Sequence, residues 1–451
     1  MEYPGAKLTR PIRRVILASL ILAFLIISPL IIAYTGGYRY DWQNGLLKET
    51  GAISIDVEPP NATVYLNGAQ LTNKIPIRLK NVVPQKYTIK ITAPGYYDWV
   101  KDVEVGNKQT AYIKEIVLLQ KNDPRLLVAG NVKEVNISPD ESRLIYTVET
   151  NGTKEIWLMN LTNPGSELIL TKKTTVATSI NWSADSSYFS VSIETDPYAE
   201  LLIINTNKPN KNIDLVKTIK YPIDKFQWKE SGEPELFFST KLKIMSYLPP
   251  SDRLLTLAKN SWLDWQMENG QLWTVGTNTS TNQYILQKDT LGFASLAATW
   301  ERTAEDDAKN QTNYKILTAK NGAVLLTKTG SAETLLVSGA KQYKLSGEKF
   351  VISRYNNWWL MWTPWELWSY SANFDPLLLN RSGEQLQEAM PLDKFNTLGL
   401  RWLDKTTVFF PYYYVSHELN IGRVLSIAMD TNNRMLYYAG GDKSGLWELK
   451  Y

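Results

Sequence analysis

The sequence predicts a mainly β chain: an N-terminal transmembrane helix, a small β module, then a β-propeller of about seven blades. Three observations predict it. Residues 15–34 form an uncharged apolar run, residues 51–119 alternate with period two, and small polar turns recur along 125–451 at a mean spacing of ~44 residues, the length of a four-stranded blade. Six or eight blades also fit that spacing.

Val15 to Tyr34, VILASLILAFLIISPLIIAY, carries no charge. At ~1.5 Å rise per residue a helix of that length crosses the ~30 Å hydrocarbon layer. Pro29 is tolerated there, because spanning helices accommodate proline. Lys7, Arg10, Arg13 and Arg14 stand against Glu2 in residues 1–14. The positive-inside rule therefore expects a cytoplasmic basic tail at 1–14, an anchor at 15–34 whose partner is the lipid bilayer, and an extracytoplasmic bulk. A cleaved signal peptide would have a shorter apolar region, ~7–15 residues, ending at a small-residue site. Ala33-Tyr34-Thr35 is a poor such site, so the anchor is expected to stay, followed by a linker at 35–50.

Locating the charge also decides what the folded part can bind. The chain holds 49 basic and 45 acidic side chains, and most of the excess lies in the tail. A near-neutral globular part lacks the basic face that a nucleic acid requires, so no nucleic-acid partner is expected. With no cysteine in the chain, disulfides, thiolate nucleophiles, iron–sulfur clusters and thiolate zinc sites are excluded. The single His417 excludes sites that need two imidazoles. GGDKSG at 440–445 lacks the phosphate-loop frame and reads as a glycine-rich turn. No metal, cofactor or catalytic residues are expected.

The β module is carried by Ile53, Ile55 and Val57, by Val64 and Leu66, by Tyr87, Ile89 and Ile91, and by Val103 and Val105. Such alternation, broken by Pro, Gly and Asn, is the pattern of half-buried antiparallel strands. Asn67-Gly68 is a hairpin turn, because both residues accept positive φ. GAISIDVEPPNATVYLNG, IPIRLKNVVPQKYTIKITAPGYYDW, VEV and IVLL together resemble the PEGA domain over residues 51–119. The namesake tetrapeptide reads Pro59-Pro60-Asn61-Ala62, and a usual Pro-Gly turn reads Pro84-Gln85. The resemblance implies a small β-sandwich of envelope proteins, serving as a stalk, with no catalytic residues.

In the last region, SPDES (138), SADSS (183), KESGE (229), QMENG (266), TAKNG (318), SRYNN (353) and LDKTT (403) each follow an apolar or aromatic strand. Pro139 suits the second position of a tight turn and Asp140 can accept from neighbouring amides. The strands Glu155-Ile156-Trp157, Glu366-Leu367-Trp368 and Leu446-Trp447-Glu448 also rhyme. The first unit resembles TolB-type propeller repeats, whose SPDG turn reads SPDE here. Ring closure is expected from either Arg125–Gly130 or Leu446–Tyr451, because open sheet edges aggregate.

The densest aromatic stretch, YNNWWLMWTPWELWSY, spans 355–370. Trp358, Trp359, Trp362, Trp365 and Trp368 are candidate partner-binding aromatics, since exposed Trp faces stack well on glycans and aromatic-rich partners. Packing between blades is the competing use, favoured because both strand faces are apolar; PYYYVSHEL at 411–419 reads the same way. His417 is expected in a surface loop. The acidic run Glu301, Glu305, Asp306 and Asp307 lacks calcium-loop spacing and reads as a solvated insertion. The expected function is therefore display and non-covalent binding or scaffolding of an envelope protein or cell-wall glycan. A propeller-hosted hydrolase or lyase acting on cell-wall glycan or peptide is the alternative, recognisable by two carboxylates ~5–10 Å apart in the funnel.

Overall fold

The computed structural model describes all residues except 1–9, 42–45, 164, 195–198, 260, 291–292, 303–312, 331–332, 348, 356–357 and 372–373. The described chain forms one long helix and many short antiparallel sheets, grouped into two compact units, residues 1–121 and 122–451.

In the first unit, helix α1 runs from Arg10 to Thr35. It starts five residues before the apolar run, because nothing in Arg10–Arg14 opposes helix and Pro11 sits where its missing N–H costs little. Residues 11–35 are apolar and long enough to cross a membrane, and none of their most apolar window is buried by the rest of the chain. The segment expected as linker is partly ordered: Tyr38–Asp41 and Leu46–Glu49 pair as an antiparallel hairpin.

Beyond it lie two small sheets. Ile77–Val82, Gly51–Glu58 and Thr110–Val117 form one; Ala69–Gln70, Thr63–Leu66, Lys86–Thr92 and Trp99–Glu104 form the other. Ile53, Ile55, Val64, Ile89, Ile91, Trp99 and Ile113 are essentially inaccessible, so the alternating residues form the core between them. One pairing departs from the antiparallel expectation, since Gly51–Glu58 and Thr110–Val117 run parallel.

The second unit contains eight four-stranded sheets among its described residues. In chain order blades 1 to 7 occupy 132–173, 178–214, 225–259, 264–301, 314–346, 349–381 and 386–418. Blade 8 combines Val424–Asp430, Met435–Gly440 and Leu446–Lys450 with Arg125–Val128, which supplies its outermost strand. The ring therefore closes by the first of the two expected routes.

The count of eight rather than seven has a specific origin. LDKTT at 403 is the turn between the second and third strands of blade 7, whereas the turn matching the earlier ones is Leu392–Thr397. An eighth equivalent turn, Thr431–Arg434, follows the first strand of blade 8. The first strands of blades 1 and 8 begin at Val132 and Val424, seven blades apart, which shortens the true period to about 42 residues.

Alternation along each strand supplies two apolar faces, one per neighbouring blade. Leu144 and Tyr146 pack with Ala428, Tyr437 and Ala439 of blade 8. Ile145, between them, packs with Phe189 and Val191 of blade 2. The same division places Trp359 and Met361 against blade 5, and Leu360 and Trp362 against blade 7. Polar ties reinforce this packing. The Lys225 ammonium of blade 3 donates to both Asp264 oxygens of blade 4, at 3.0 and 2.9 Å, and to the Ile316 carbonyl of blade 5 at 3.1 Å. Burial lowers its pKa, with the Asp264 charge opposing.

Candidate partner-binding face

Antiparallel order within each blade puts the first-to-second and third-to-fourth turns on one face of the ring, and all other connections on the opposite face. The first of these faces carries the chemistry.

Blade 1 turns through Ser138–Ser142. The Asp140 carboxylate accepts from the Ser138 hydroxyl (2.6 Å), the Ser142 hydroxyl (2.8 Å) and the Ser142 amide (3.1 Å). Burial pushes the Asp140 pKa up, but these donors outweigh it and hold the group below its ordinary value. The next residue, Glu141, sits at φ +61°, a left-handed conformation that favours glycine. Its carboxylate accepts from the Thr431 amide (2.9 Å), the Thr431 hydroxyl (2.8 Å) and the Asn432 amide (3.1 Å) of blade 8, and from Arg354 of blade 6. Arg354 also donates to the Pro139 carbonyl at 3.2 Å and to the Thr431 hydroxyl. One arginine thus joins the turns of blades 6, 8 and 1, skipping blade 7.

Asp430 lies beside Glu141 and accepts from the Asn433 amide and side chain at 2.8 and 2.7 Å. Burial and the Glu141 carboxylate raise the Asp430 pKa, whereas burial of Glu141 is outweighed by its donors, so its pKa falls. The two carboxylates are 3% and 5% exposed, and those of Glu141 are committed to blade 8 and Arg354. Their geometry is that of a clasp between the first and last blades.

In the sector of blades 6 and 7 this face exposes aromatic rings. In blade 7, Pro411-Tyr412-Tyr413-Tyr414 makes a tight turn in which the Tyr413 amide donates to Phe410 and the Tyr414 amide to Pro411. Tyr414 adopts φ +52°, which costs an aromatic residue on the order of 1 kcal/mol. The turn projects Tyr412 and Tyr414 outward, 81% and 65% exposed, while Phe409, Phe410 and Val415 are buried. Tyr412 and Tyr413 meet edge to face at 5.0 Å. Phe395 with Lys394 and Tyr355 with Arg354 add cation–ring pairs from neighbouring turns of the same face.

The sequence-predicted tryptophans divide differently. Trp359 and Trp362 are buried at 2% and 5%. Trp358 is half-buried, as is Trp368, whose indole donates to Glu366 at 3.1 Å. Only Trp365 is strongly exposed among the five, at 47%, and it lies in a connection on the opposite face from Tyr412. His417 is in the fourth strand of blade 7, opposite Val408, rather than in a loop, with its ring edge-on to Phe410 at 6.0 Å. Of the basic residues, Lys7 lies outside the described residues, Arg10 opens α1, and Arg13 and Arg14 are exposed on it. Glu305, Asp306 and Asp307 also lie outside the described residues, and Glu301 ends the outer strand of blade 4. Among the described residues no group of three or more His, Asp or Glu is placed to hold a metal ion.

Sequence reasoning missed Glu141, Arg354 and the exposed tyrosines. The one available signal was the departure of SPDE from SPDG, since a carboxylate at a glycine position calls for a compensating contact.

These features define a β-propeller joined to a small β module. Residues 50–120 match the PEGA domain family. No curated protein matches the chain in sequence. Among solved structures, the chain is similar to the Dos1 propeller, with 10% identity and TM-score 0.46, covering 72% of this chain and 94% of that one. It is also similar to the propeller domain of the Trilobed protease from Pyrococcus furiosus, with 10% identity and TM-score 0.35 over 82% and 98%. Oligogalacturonate lyase in complex with manganese is a third, with 9% identity and TM-score 0.39 over 72% and 90%.

Proposed function

We propose that the chain is a single-pass cell-envelope protein, anchored in the bilayer by α1 with its N-terminus cytoplasmic. Its propeller binds or scaffolds an envelope partner non-covalently through the tyrosine-bearing face of blades 6 to 8. The observation that carries this reading is Tyr412 and Tyr414, two large aromatic side chains held in solvent by a turn with a left-handed tyrosine. Exposed aromatics of low conformational entropy are favoured anchors in interfaces, and backbone strain of this kind is kept where it positions a contact.

The hydrolase or lyase alternative calls for accessible paired carboxylates. Glu141 and Asp430 are paired but buried and engaged, so binding is the better-supported reading. The test is site-specific photo-crosslinking in intact envelopes, with a crosslinker at Tyr412 and a control at Leu168 on the outer edge of blade 1. A discrete adduct from Tyr412 alone supports it, and equal or no adducts from both sites overturn the face assignment. Carbonate extraction and protease treatment of intact cells test the anchor separately; a soluble, protease-protected chain would refute the topology.

A further inference from the structure

Helix α1 does not pass into its module through a slack segment. Its last turn ends at Thr35, and the Gly37 carbonyl accepts from both the amide and the hydroxyl of Thr50, each at 2.9 Å. Gly37 itself needs φ +83°, which lets the chain reverse directly into the hairpin Tyr38–Asp41 and Leu46–Glu49. Arg39 then folds back on the helix. One guanidinium nitrogen donates to the Tyr34 carbonyl at 2.7 Å and the Tyr38 carbonyl at 2.8 Å, with the group 3.8 Å above the Tyr34 ring. A cation there also offsets the negative end of the helix dipole. On the other side, the Lys108 ammonium of the module donates to the Tyr38 hydroxyl at 2.9 Å and pairs with Glu49 at 3.0 Å, and the Lys108 amide donates to the Thr50 carbonyl at 3.1 Å. Helix, hairpin and module are joined through the short contacts of Thr50, Arg39 and Lys108.

The depth of this joint follows from length. Residues 11–35 span about 38 Å at ~1.5 Å per residue, more than the ~30 Å hydrocarbon layer. The joint therefore falls in the headgroup zone. Its exposed groups suit that zone: Tyr34 and Tyr40 are 64% and 49% exposed, beside Arg39 and Lys108. Amphipathic rings collect at the headgroup level, with cations nearby to meet phosphates.

We propose that residues 34–41 and 46–49 form a collar that seats in the phospholipid headgroup layer and fixes the depth and tilt of the β module relative to the bilayer. This rests on the anchor reading above. The occupant is the lipid interface continuous with α1, recognised through the amphipathic rings of Tyr34 and Tyr40 beside the Arg39 cation.

The chain lacks cysteine, so single labelling sites are available without background. Leu25→Cys in mid-helix, Tyr40→Cys in the collar and Ala69→Cys at the module's exposed hairpin would each carry bimane. The full chain would be reconstituted in phosphatidylcholine–phosphatidylglycerol vesicles containing lipids spin-labelled either on the headgroup or at mid-chain. Leu25 should be quenched mainly by the mid-chain label. Tyr40 should be quenched at least threefold more by the headgroup label than Ala69 is. Quenching at Leu25 with Tyr40 no different from Ala69 overturns the collar and leaves the anchor standing. No quenching at Leu25 removes the anchor, and the collar with it.

Discussion

Blade 1 turns through Ser138-Pro139-Asp140-Glu141-Ser142 and blade 2 through Ser183-Ala184-Asp185-Ser186-Ser187, and the two loops share nearly every internal hydrogen bond. Asp185 accepts from the Ser183 and Ser187 hydroxyls at 2.6 and 2.5 Å and from the Ser187 amide at 3.2 Å, as Asp140 does in blade 1. Its pKa is likewise pushed up by burial and pulled lower by those donors. Ser186 and Glu141 occupy the same left-handed position, at φ +60° and +61°. Each reaches back to the preceding blade's turn. Ser186 accepts one bond from the Asp140 amide at 3.0 Å, whereas Glu141 takes several from blade 8 and Arg354. The contact between blades 1 and 2 uses a hydroxyl. The contact between the first and last blades, whose residues are far apart in the chain, has a charged acceptor in place of that hydroxyl.

The largest effects should come from the cores beneath these turns. Leu144→Ala opens the closing interface and Ile145→Ala the ordinary one. Each should cost about 2–5 kcal/mol, read as urea midpoints of the detergent-solubilised chain. Equal losses would show that closure is packed as tightly as any other interface, and a much smaller loss at Leu144 would show a loose seam.

Next comes the clasp itself. Glu141→Gly keeps the left-handed turn and relieves its strain, yet should destabilise by about 2–3 kcal/mol, because charge-assisted bonds from Thr431 and Asn432 are lost and Arg354 loses its partner. Ser186→Gly should stay within about 0.5 kcal/mol, one bond being offset by backbone relief. If both were neutral, the comparison between the turns would fail.

Acidity sharpens it further. The depressed Glu141 pKa means that its contribution is complete above the unfolded value of ~4.3 and fades as pH falls through the folded value. Asp430 runs the other way: with a raised folded pKa, its ionised form costs stability at neutral pH, and that cost disappears as pH falls through the folded value. Asp430→Asn should therefore stabilise by about 1 kcal/mol at pH 7, and the gain should vanish below the unfolded value of ~3.9. A gain that persists there would refute the like-charge account.

The smallest effect on stability belongs to the exposed face. Tyr412→Ser should shift unfolding by less than about 0.5 kcal/mol while abolishing the adduct formed by a crosslinker moved to Lys394 on the neighbouring turn, whereas a large loss of stability would mark Tyr412 as a packing residue.

Much of the architecture was legible because it is written in local periodicities. Alternation at Ile53, Ile55 and Val57, the two-faced apolar strand at 359–362 and the Ser-x-Asp turns each report a backbone geometry within a few residues. The eighth blade was hidden because LDKTT resembles a first turn while serving as a second, which left the first turns Leu392–Thr397 and Thr431–Arg434 uncounted. The hairpin at 38–49 was hidden because its order comes from Thr50 and Lys108, outside its own sequence. Tyr412 and Tyr414 read as packing residues alongside Phe409 and Phe410; only the turn at Pro411 separates inward from outward rings. Arg354 could not be found at all, since its partners lie in other blades.

The strand that completes blade 8 imposes a timetable on synthesis. Arg125 and Glu448 pair across 323 residues, and at ~5–20 residues per second a ribosome needs ~20–60 s to cover that interval. Throughout it, Arg125–Val128 is a strand without its sheet, while successive blades accumulate behind it as an open arc. Only when the last strands emerge can the arc become a circle, so this propeller reaches full cooperativity late, at a moment set by translation rather than by any blade's own stability.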